Sequence, residues 1–141
     1  MQVLVDSDVI LDFVLQRDDF ALDANIIFEY LGNRRFEAFV CPISFPNVFY
    51  FVRKANGKDA AFQAIRDLLV SVRVCKVDKS VLDTALILNF SDYEDAVQCA
   101  SAVAENLGAI VTRNIKHYKK SPIPVYLPAD FLKVLQNESV G

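Results

Sequence analysis

Residues 1–12, MQVLVDSDVILD, decide how this chain is organised. The run Gln2–Val5 is short, apolar and rich in β-branched residues, which predicts a strand buried on both faces. Asp6 follows it directly, at the point where parallel α/β sheets open into ligand-binding crevices. A helix that begins here would carry Asp12 one turn beyond Asp8. The stretch therefore predicts a buried strand that ends in a group of acids.

These three carboxylates have two interpretations. At this spacing they repel one another by roughly 4 kcal/mol per close pair at an effective dielectric constant near 20, so a bound cation would stabilise them. Alternatively, Asp6 or Asp8 serves only as the N-cap of the helix. The stretch alone leaves both interpretations open.

Composition indicates one ordinary globular domain covering residues 1–141. The chain has 141 residues, of which 53% are hydrophobic and 11 are Phe, so it can build a real core. We find no apolar run of membrane-spanning length and no signal segment, and we expect a soluble cytoplasmic protein without membrane contact. Cys41, Cys75 and Cys99 are predicted to be reduced, packed thiols. The net charge of −3 argues against general coating of nucleic acid, although it permits a local basic rim.

Short apolar runs alternate with helical patterns along the chain. After the first strand, we predict strands at 36–40, 70–75, 108–111 and 124–127, separated by amphipathic helices. This alternation predicts an α/β fold with three layers, in which helices cover both faces of a central, mostly parallel sheet. In the helix that Phe45-Pro46 opens, Val48–Val52 is apolar on every side, which indicates either a fully buried helix or a subunit interface. We favour the interface and expect a homodimer.

Two helix starts carry recognisable capping residues. Ser44 is predicted to cap the helix that follows it. Ser91-Asp92-Tyr93-Glu94 has the spacing of a capping box, with Ser91 at the cap and Asp92 as the first helical residue. Asp95 then lies on the same side of the first turn as Asp92.

Asp92 and Asp95 form a second acidic group. Acids in a first turn complement the helix dipole, so the pair has a purely structural interpretation. However, the helix leads into the apolar strand at 108–111, and if that strand neighbours the first one, both acidic groups lie on the same edge of the sheet. A cluster of carboxylates suits Mg²⁺ or Mn²⁺, whereas zinc is disfavoured because the chain has one His and no suitable Cys group.

Polar residues follow the strand at 108–111. Thr112, Arg113 and Asn114 should project toward the same edge, where they could hold a water molecule or a phosphate oxygen. The next residues, 116–120, supply cations and a tyrosine, Tyr118, that is suited to base stacking or phosphate contact. The alternative is a solvated loop, and His117 is expected to be a loop residue and not a ligand.

Three blocks of sequence resemble the PIN domains, metal-dependent ribonucleases that include the VapC-type toxins of bacterial toxin–antitoxin pairs. The blocks are VLVDSDVILD, DYEDAVQ before an Ala-rich helix, and VTRNIKHY at the end of a strand. The resemblance extends over nearly the whole chain. It implies the PIN fold, a site for Mg²⁺ or Mn²⁺, an RNA substrate and a cognate antitoxin.

The resemblance also implies roles for individual residues. Asp6 corresponds to the first metal-binding acid of the family, Asp95 to the acid of the later helix, and Asp92 to an additional acid one turn earlier. Asn114 corresponds to the active-site Asn. Ser7 and Thr112 would line this site. Basic residues beside it would attract RNA: Arg113, Lys116, Lys119 and Lys120.

Two positions depart from the family pattern. Asn47 stands where the family usually has Glu, and His117 stands where it has an acid. Asn keeps an oxygen ligand without the charge, and His is a poor ligand for Mg²⁺. Asp8 or Asp12 would restore part of the lost negative charge.

The expected function is therefore a Mg²⁺- or Mn²⁺-dependent endoribonuclease that hydrolyses RNA phosphodiester bonds, as a VapC-type toxin does. In the alternative, the departures at Asn47 and His117 leave a PIN scaffold with weakened catalysis that binds RNA or protein. A phosphatase of the haloacid dehalogenase type is a third interpretation, from the D-x-D spacing of Asp6 and Asp8. It is disfavoured because Val9-Ile10 replaces the small residues that follow this motif in that class.

Overall fold

A central sheet of five short strands organises the fold. The structure is a computed structural model that describes residues 1–140, with side chains described for residues 1–138. All pairings between neighbouring strands are parallel. The strands are β1 (Gln2–Val5), β2 (Glu37–Val40), β3 (Arg73–Val74), β4 (Ala109–Val111) and β5 (Val125–Tyr126). Their order across the sheet is β3-β2-β1-β4-β5.

Helices connect the strands on both faces of the sheet. A short 3₁₀ turn, Ile115–Tyr118, follows β4. Within the described residues no helix has the length and apolar character needed to cross a membrane. The helices are α1 (Ser7–Val14), α2 (Asp18–Gly32), α3 (Ser44–Asn56), α4 (Lys58–Ser71), α5 (Lys79–Ile87), α6 (Tyr93–Ala104) and α7 (Pro128–Val140).

The alternation of side chains along β1 divides the interior into two cores. Val3 and Val5 pack in one core with residues of α1, α2, α3, α4 and α7, whereas Leu4 packs in the other with residues of α5 and α6. Successive strand residues point to opposite faces, so a strand that is apolar throughout is buried on both sides. The three-layer α/β/α prediction is confirmed. The three cysteines are also buried and free, as expected.

The expected strand at 70–75 is shorter than predicted and begins only after the end of α4. The helix α4 continues to Ser71, and Val70 in its last turn is 89% exposed. Only Arg73–Val74 pairs with β2. Leu68 is the last buried residue of α4, and the apolar residues after it are divided between the end of this helix and the short edge strand β3. Period-two alternation over so short a segment does not separate these cases.

Both predicted caps are wrong in detail. Ile43 occupies the N-cap position of α3 without a side-chain hydrogen bond, and the buried Ser44 hydroxyl has no partner among the described residues. At α6 the cap is Asp92 and not Ser91, because the Asp92 carboxylate accepts a hydrogen bond from the Asp95 backbone N–H at 2.9 Å. Ser and Asp are almost equally favourable N-caps, so their spacing alone does not decide which one is used.

The core position of Leu4 gives a direct test of the fold. Leu4 is 0% exposed in the central strand, so Leu4→Ala should lower the free energy of unfolding by about 2–5 kcal/mol through lost burial and the remaining cavity. Urea denaturation followed by circular dichroism measures this. The control is Leu22→Ala on α2, where the side chain is 69% exposed and the change should stay within about 0.5 kcal/mol. Equal effects of the two substitutions would contradict the assigned burial.

Candidate active site

A polar cavity lies at the carboxyl edge of the sheet, where β1 and β4 end side by side. The Asp6 backbone N–H donates to the Val111 carbonyl at 3.0 Å, which places the ends of the two strands together. The cavity has a volume of about 230 Å³. Its polar lining includes Asp6, Asp8, Asn47, Asp95, Gln98 and Asn114.

Asp6 is buried and held in one orientation by donors to both of its carboxylate oxygens. Its Oδ1 accepts from the Ser7 backbone N–H at 2.7 Å, which caps α1, and from Gln98 Nε2 at 3.2 Å. Its Oδ2 accepts from Thr112 Oγ1 at 2.8 Å and from Tyr118 Oη at 3.3 Å. The carboxylate is thus both a helix cap and a lining group of the cavity.

Asp8 carries a carboxylate that is satisfied on one side only. Its Oδ2 accepts from the Arg113 backbone N–H and from Asn114 Nδ2, each at 3.1 Å, whereas its buried Oδ1 has no partner among the described residues. Burial, together with the negative charge of Asp6, raises the pKa of Asp8 to about 7. The protein by itself therefore does not compensate the charge of this group.

Asp95 lies in the first turn of α6 and faces Asp6 through a shared tyrosine. The Tyr118 hydroxyl is within hydrogen-bond distance of both carboxylates, at 3.3 Å from Asp6 Oδ2 and 3.5 Å from Asp95 Oδ1. The other Asp95 oxygen is 3.3 Å from His117 Nδ1. Burial and the negative charges of Asp92 and Asp6 raise the pKa of Asp95 to about 6.

Tyr118 does not have the role that the sequence suggested. It is 2% exposed, so it cannot stack on RNA bases as predicted, and it lies between two carboxylates instead. Burial and these acids raise the pKa of its phenol, which keeps the hydroxyl protonated as a donor. Sequence reasoning also missed Gln98, which lies one helical turn after Asp95 and is 2% exposed. The spacing of three residues on one helix face was the available signal.

Two further sequence candidates join the cavity, and one lies outside it. Asn47 donates to Ser7 Oγ at 3.0 Å, and both residues line the cavity. Asp92 is turned to its capping bond with the Asp95 backbone and is not among the lining residues. The three lysines predicted to attract RNA are exposed on the segment just beyond Asn114: Lys116, Lys119 and Lys120.

Asp12 is neutralised by arginines and does not line the cavity. It is 1% exposed and accepts a bidentate pair from Arg113, with Nε–Oδ2 at 2.6 Å and Nη2–Oδ1 at 3.1 Å. Arg17 is a second cation, 3.8 Å from Asp12 Oδ1. The Arg113 guanidinium also lies over the ring of Phe20, 3.9 Å from its centroid. Two acids of residues 1–12 thus have opposite environments. Asp12 has two arginines beside it, whereas Asp8 Oδ1 has no hydrogen-bond partner among the described residues.

The donor set of the cavity suits a hard divalent cation. The side chains offer carboxylate and amide oxygens, which Mg²⁺ and Mn²⁺ prefer. Asp8 Oδ1 and Gln98 Oε1 are both buried at the cavity and have no partner among the described residues. Among all the residues that the structure describes, however, no three His, Cys, Asp or Glu side chains are close enough to hold an ion unaided. An ion here would therefore retain several water ligands, as Mg²⁺ commonly does.

The Arg113–Asp12 pair should be essential for stability. Arg113→Ala leaves a buried carboxylate with only the more distant Arg17, so the free energy of unfolding should fall by about 3 kcal/mol or more. Chemical denaturation measures this loss. Arg17→Ala, whose side chain is 32% exposed, is the control and should cost under about 1 kcal/mol. A loss at Arg113 no larger than the loss at Arg17 would refute the assignment.

The raised pKa of Asp8 predicts a pH dependence. Because the pKa of Asp8 is raised in the folded protein from its ordinary value of 3.8 to about 7, stability should fall as pH rises from about 4 toward 7. Asp8→Asn removes the charge and should raise the Tm of the EDTA-treated protein at pH 8 by about 3–6 °C, for a gain of 1–2 kcal/mol. The gain should vanish near pH 4. Asp78→Asn on the exposed cap of α5 is the control, and a lower Tm for Asp8→Asn at pH 8 would oppose the prediction.

Comparisons with solved structures identify this fold among toxin proteins. The structure is similar to VapBC2 from Rickettsia felis bound to promoter DNA, with TM-score 0.71 and 17% identity over 90% of this chain and 98% of that chain. It is similar to VapBC-1 from Haemophilus influenzae, with TM-score 0.68 and 13% identity over 92% and 99% of the two chains. A third similar structure is VapC20 from Mycobacterium tuberculosis, described as a sarcin-ricin loop cleaving toxin, with TM-score 0.62 and 14% identity over 77% and 86%.

Sequence comparison supplies the family. No curated protein matched the chain. The family model described as PIN domain matches residues 2–116, which include both strand ends and all the lining residues of the cavity. The structural neighbours share too little sequence to show more than the fold. On the family match, the chain belongs to the PIN domain family.

Proposed function

We propose that this protein is a Mg²⁺- or Mn²⁺-dependent endoribonuclease that hydrolyses RNA phosphodiester bonds, as the toxin of a VapC-type toxin–antitoxin pair. One observation carries the proposal. Asp6, Asp8 and Asp95 line the same cavity, and the buried Oδ1 of Asp8 has no hydrogen-bond partner among the described residues. Membership of the PIN domain family, with neighbours in toxin–antitoxin complexes, supports this reading.

In this proposal the metal ion would be held by Asp6, Asp8 and Asp95, with Asp92 reaching it only if its capping bond is released. A bound divalent ion supplies charge neutralisation at the phosphate and lowers the pKa of a water molecule. Asn114 donates from its Nδ2 to Asp8 Oδ2, so its side-chain Oδ1 would be available to accept a hydrogen bond from a water molecule and orient it. The exposed lysines beyond Asn114 would attract the RNA backbone.

A second reading is favoured by specific observations. The described residues contain no group of three acids, His or Cys close enough to hold an ion, and Asn47 and His117 replace family acids at the site. The His117 ring lies against Asp95 at 3.3 Å, which engages one of its oxygens. In that reading the chain is a PIN scaffold that binds RNA or protein with weak catalysis or none.

A partner protein is part of the proposal. Two cavities of about 680 Å³ and 460 Å³ adjoin at Phe13, Phe28 and Ser71, between α1, α2 and α4. Phe13 is 37% exposed and stacks on Phe28 with ring centroids 4.3 Å apart. Such an apolar groove on a small domain suits a segment of an antitoxin. Several similar structures are toxin–antitoxin complexes.

The proposed homodimer has separate support. On α3, Val48 and Val52 are buried but Tyr50 is 59% and Phe51 is 36% exposed, so the helix is not fully buried. On α5, Leu86 and Ile87 are 70% and 81% exposed. Exposed apolar residues of this kind commonly mark an interface.

Cleavage of a labelled RNA panel tests the enzyme. Activity should require Mg²⁺ or Mn²⁺, stop in EDTA, and fall by more than about a hundredfold in Asp6→Asn, beyond the effect of residues that only support a ligand. Asp78→Asn, an equal change at an exposed helix cap, is the matched control. Cleavage that persists in EDTA would refute the metal-dependent mechanism. RNA binding without cleavage at millimolar metal would favour the scaffold.

A further inference from the structure

A separate cavity of about 330 Å³ borders the candidate active site and has no part in the proposed chemistry. Its lining consists of Phe20 and Asp23 of α2, Arg113 after β4, and the segment Leu127, Pro128 and Ala129 where β5 leads into α7. Arg113 joins the two sites, because its backbone N–H binds Asp8 in the first cavity while its side chain lines the second. A ligand in this cavity would therefore lie next to the candidate active site.

The guanidinium of Arg113 is a rigid wall of this cavity. Asp12, which is 1% exposed, accepts hydrogen bonds from Nε and Nη2 and so fixes the plane of the group. Since these donors and most of the charge are engaged by Asp12, phosphate would gain little here. The arginine instead contributes a planar, oriented group, and planar guanidinium groups stack well on aromatic rings.

The ring of Phe20 lies against this planar group and is partly exposed to solvent. The buried face of α2 is made of Ala21, Ala24 and Ile27, so Phe20 does not serve the core, and its side chain is 46% exposed. Its ring lies under the Arg113 guanidinium at 3.9 Å from carbon to centroid. An exposed aromatic ring held by a fixed cation is the type of platform on which single-stranded RNA bases stack.

Asp23 adds a hydrogen-bond acceptor to the cavity. Among the described side chains, no hydrogen bond or ion pair involves its carboxylate. A carboxylate repels phosphate and accepts from N–H donors, so it favours a base over the RNA backbone. Guanine presents two adjacent donors, N1–H and the N2 amine, which match the two oxygens of a carboxylate.

We propose that this cavity binds one guanine base of a single-stranded RNA substrate, stacked on the exposed Phe20 ring that Arg113 supports and recognised by Asp23. The inference rests on the proposed function, because a base site has a role only if the chain binds RNA. It deepens that function by naming a base preference at a position beside the scissile phosphate.

The test uses short single-stranded RNAs that contain one guanosine, and matched RNAs with inosine, which lacks the N2 amine, or adenosine in its place. Steady-state cleavage with Mn²⁺ gives kcat and KM, and fluorescence anisotropy in EDTA gives binding without metal. The wild-type protein should favour guanosine over inosine by about tenfold in KM and in Kd, as expected for loss of one hydrogen bond to a charged group.

Substitutions separate stacking from base recognition. Phe20→Leu should raise KM about tenfold with kcat unchanged, the scale of one lost stacking contact, and Phe20→Trp should restore it. Asp23→Asn should reduce the preference for guanosine over inosine to below about twofold. Leu22→Ala, on the same helix with a side chain 69% exposed and outside the cavity, should behave as wild type.

Each outcome decides the proposal. If the wild type binds and cleaves RNA but Phe20→Leu and Asp23→Asn leave KM and base preference unchanged, the base site is overturned while the proposed function stands. If Phe20→Leu weakens all RNAs equally and Asp23→Asn has no effect, the guanine assignment is overturned. If the wild type neither binds nor cleaves any RNA, this inference falls together with the proposed function.

Discussion

The main physical constraint on this structure is the crowding of carboxylates at one edge of a parallel sheet. Asp6 follows the central strand β1, and its neighbour β4 ends beside it, so polar residues from distant parts of the chain converge there. Internal donors from Ser7, Thr112 and Tyr118 hold Asp6 in place. They do not offset the burial and the neighbouring negative charges that raise the pKa of Asp8 and that of Asp95. The protein tolerates this unfavourable charge at a cavity where a cation would relieve it.

Arg113 contacts two acids at this edge of the sheet, one through its side chain and one through its backbone. Its side chain neutralises Asp12 inside the fold, while its backbone N–H and the adjacent Asn114 orient Asp8 toward the cavity. One residue thus links the packing of α1 to the geometry of the candidate active site. Its guanidinium also lies against the Phe20 ring. The buried ion pair with Asp12 therefore also helps to position the wall of the neighbouring cavity.

The departures from the family pattern have a physical meaning in this arrangement. Asn47 bonds to Ser7 Oγ and keeps an oxygen at the cavity without adding charge. His117 lies against Asp95, where an acid would have increased the repulsion among the carboxylates. Both changes lower the negative charge of the site, which lowers its electrostatic attraction for a divalent ion. The charge of Asp8 and the changes at these two residues therefore bear directly on the choice between the proposed nuclease and the alternative binding scaffold.

The sequence by itself determined the layered α/β architecture and the position of Asp6, because the apolar run of β1 and the alternation of helices and strands are local patterns. It also indicated that the residues around Asp95 and Asn114 would lie at the same edge. Only the tertiary structure decided that Asp12 pairs with Arg113, and that Tyr118 is buried between two carboxylates. These contacts join residues that are far apart in the chain. The local spacing of residues therefore cannot predict which partner a buried charged group will contact. The cap of α6 is the opposite case, since the choice between adjacent Ser and Asp residues depends on a small energy difference that packing resolves.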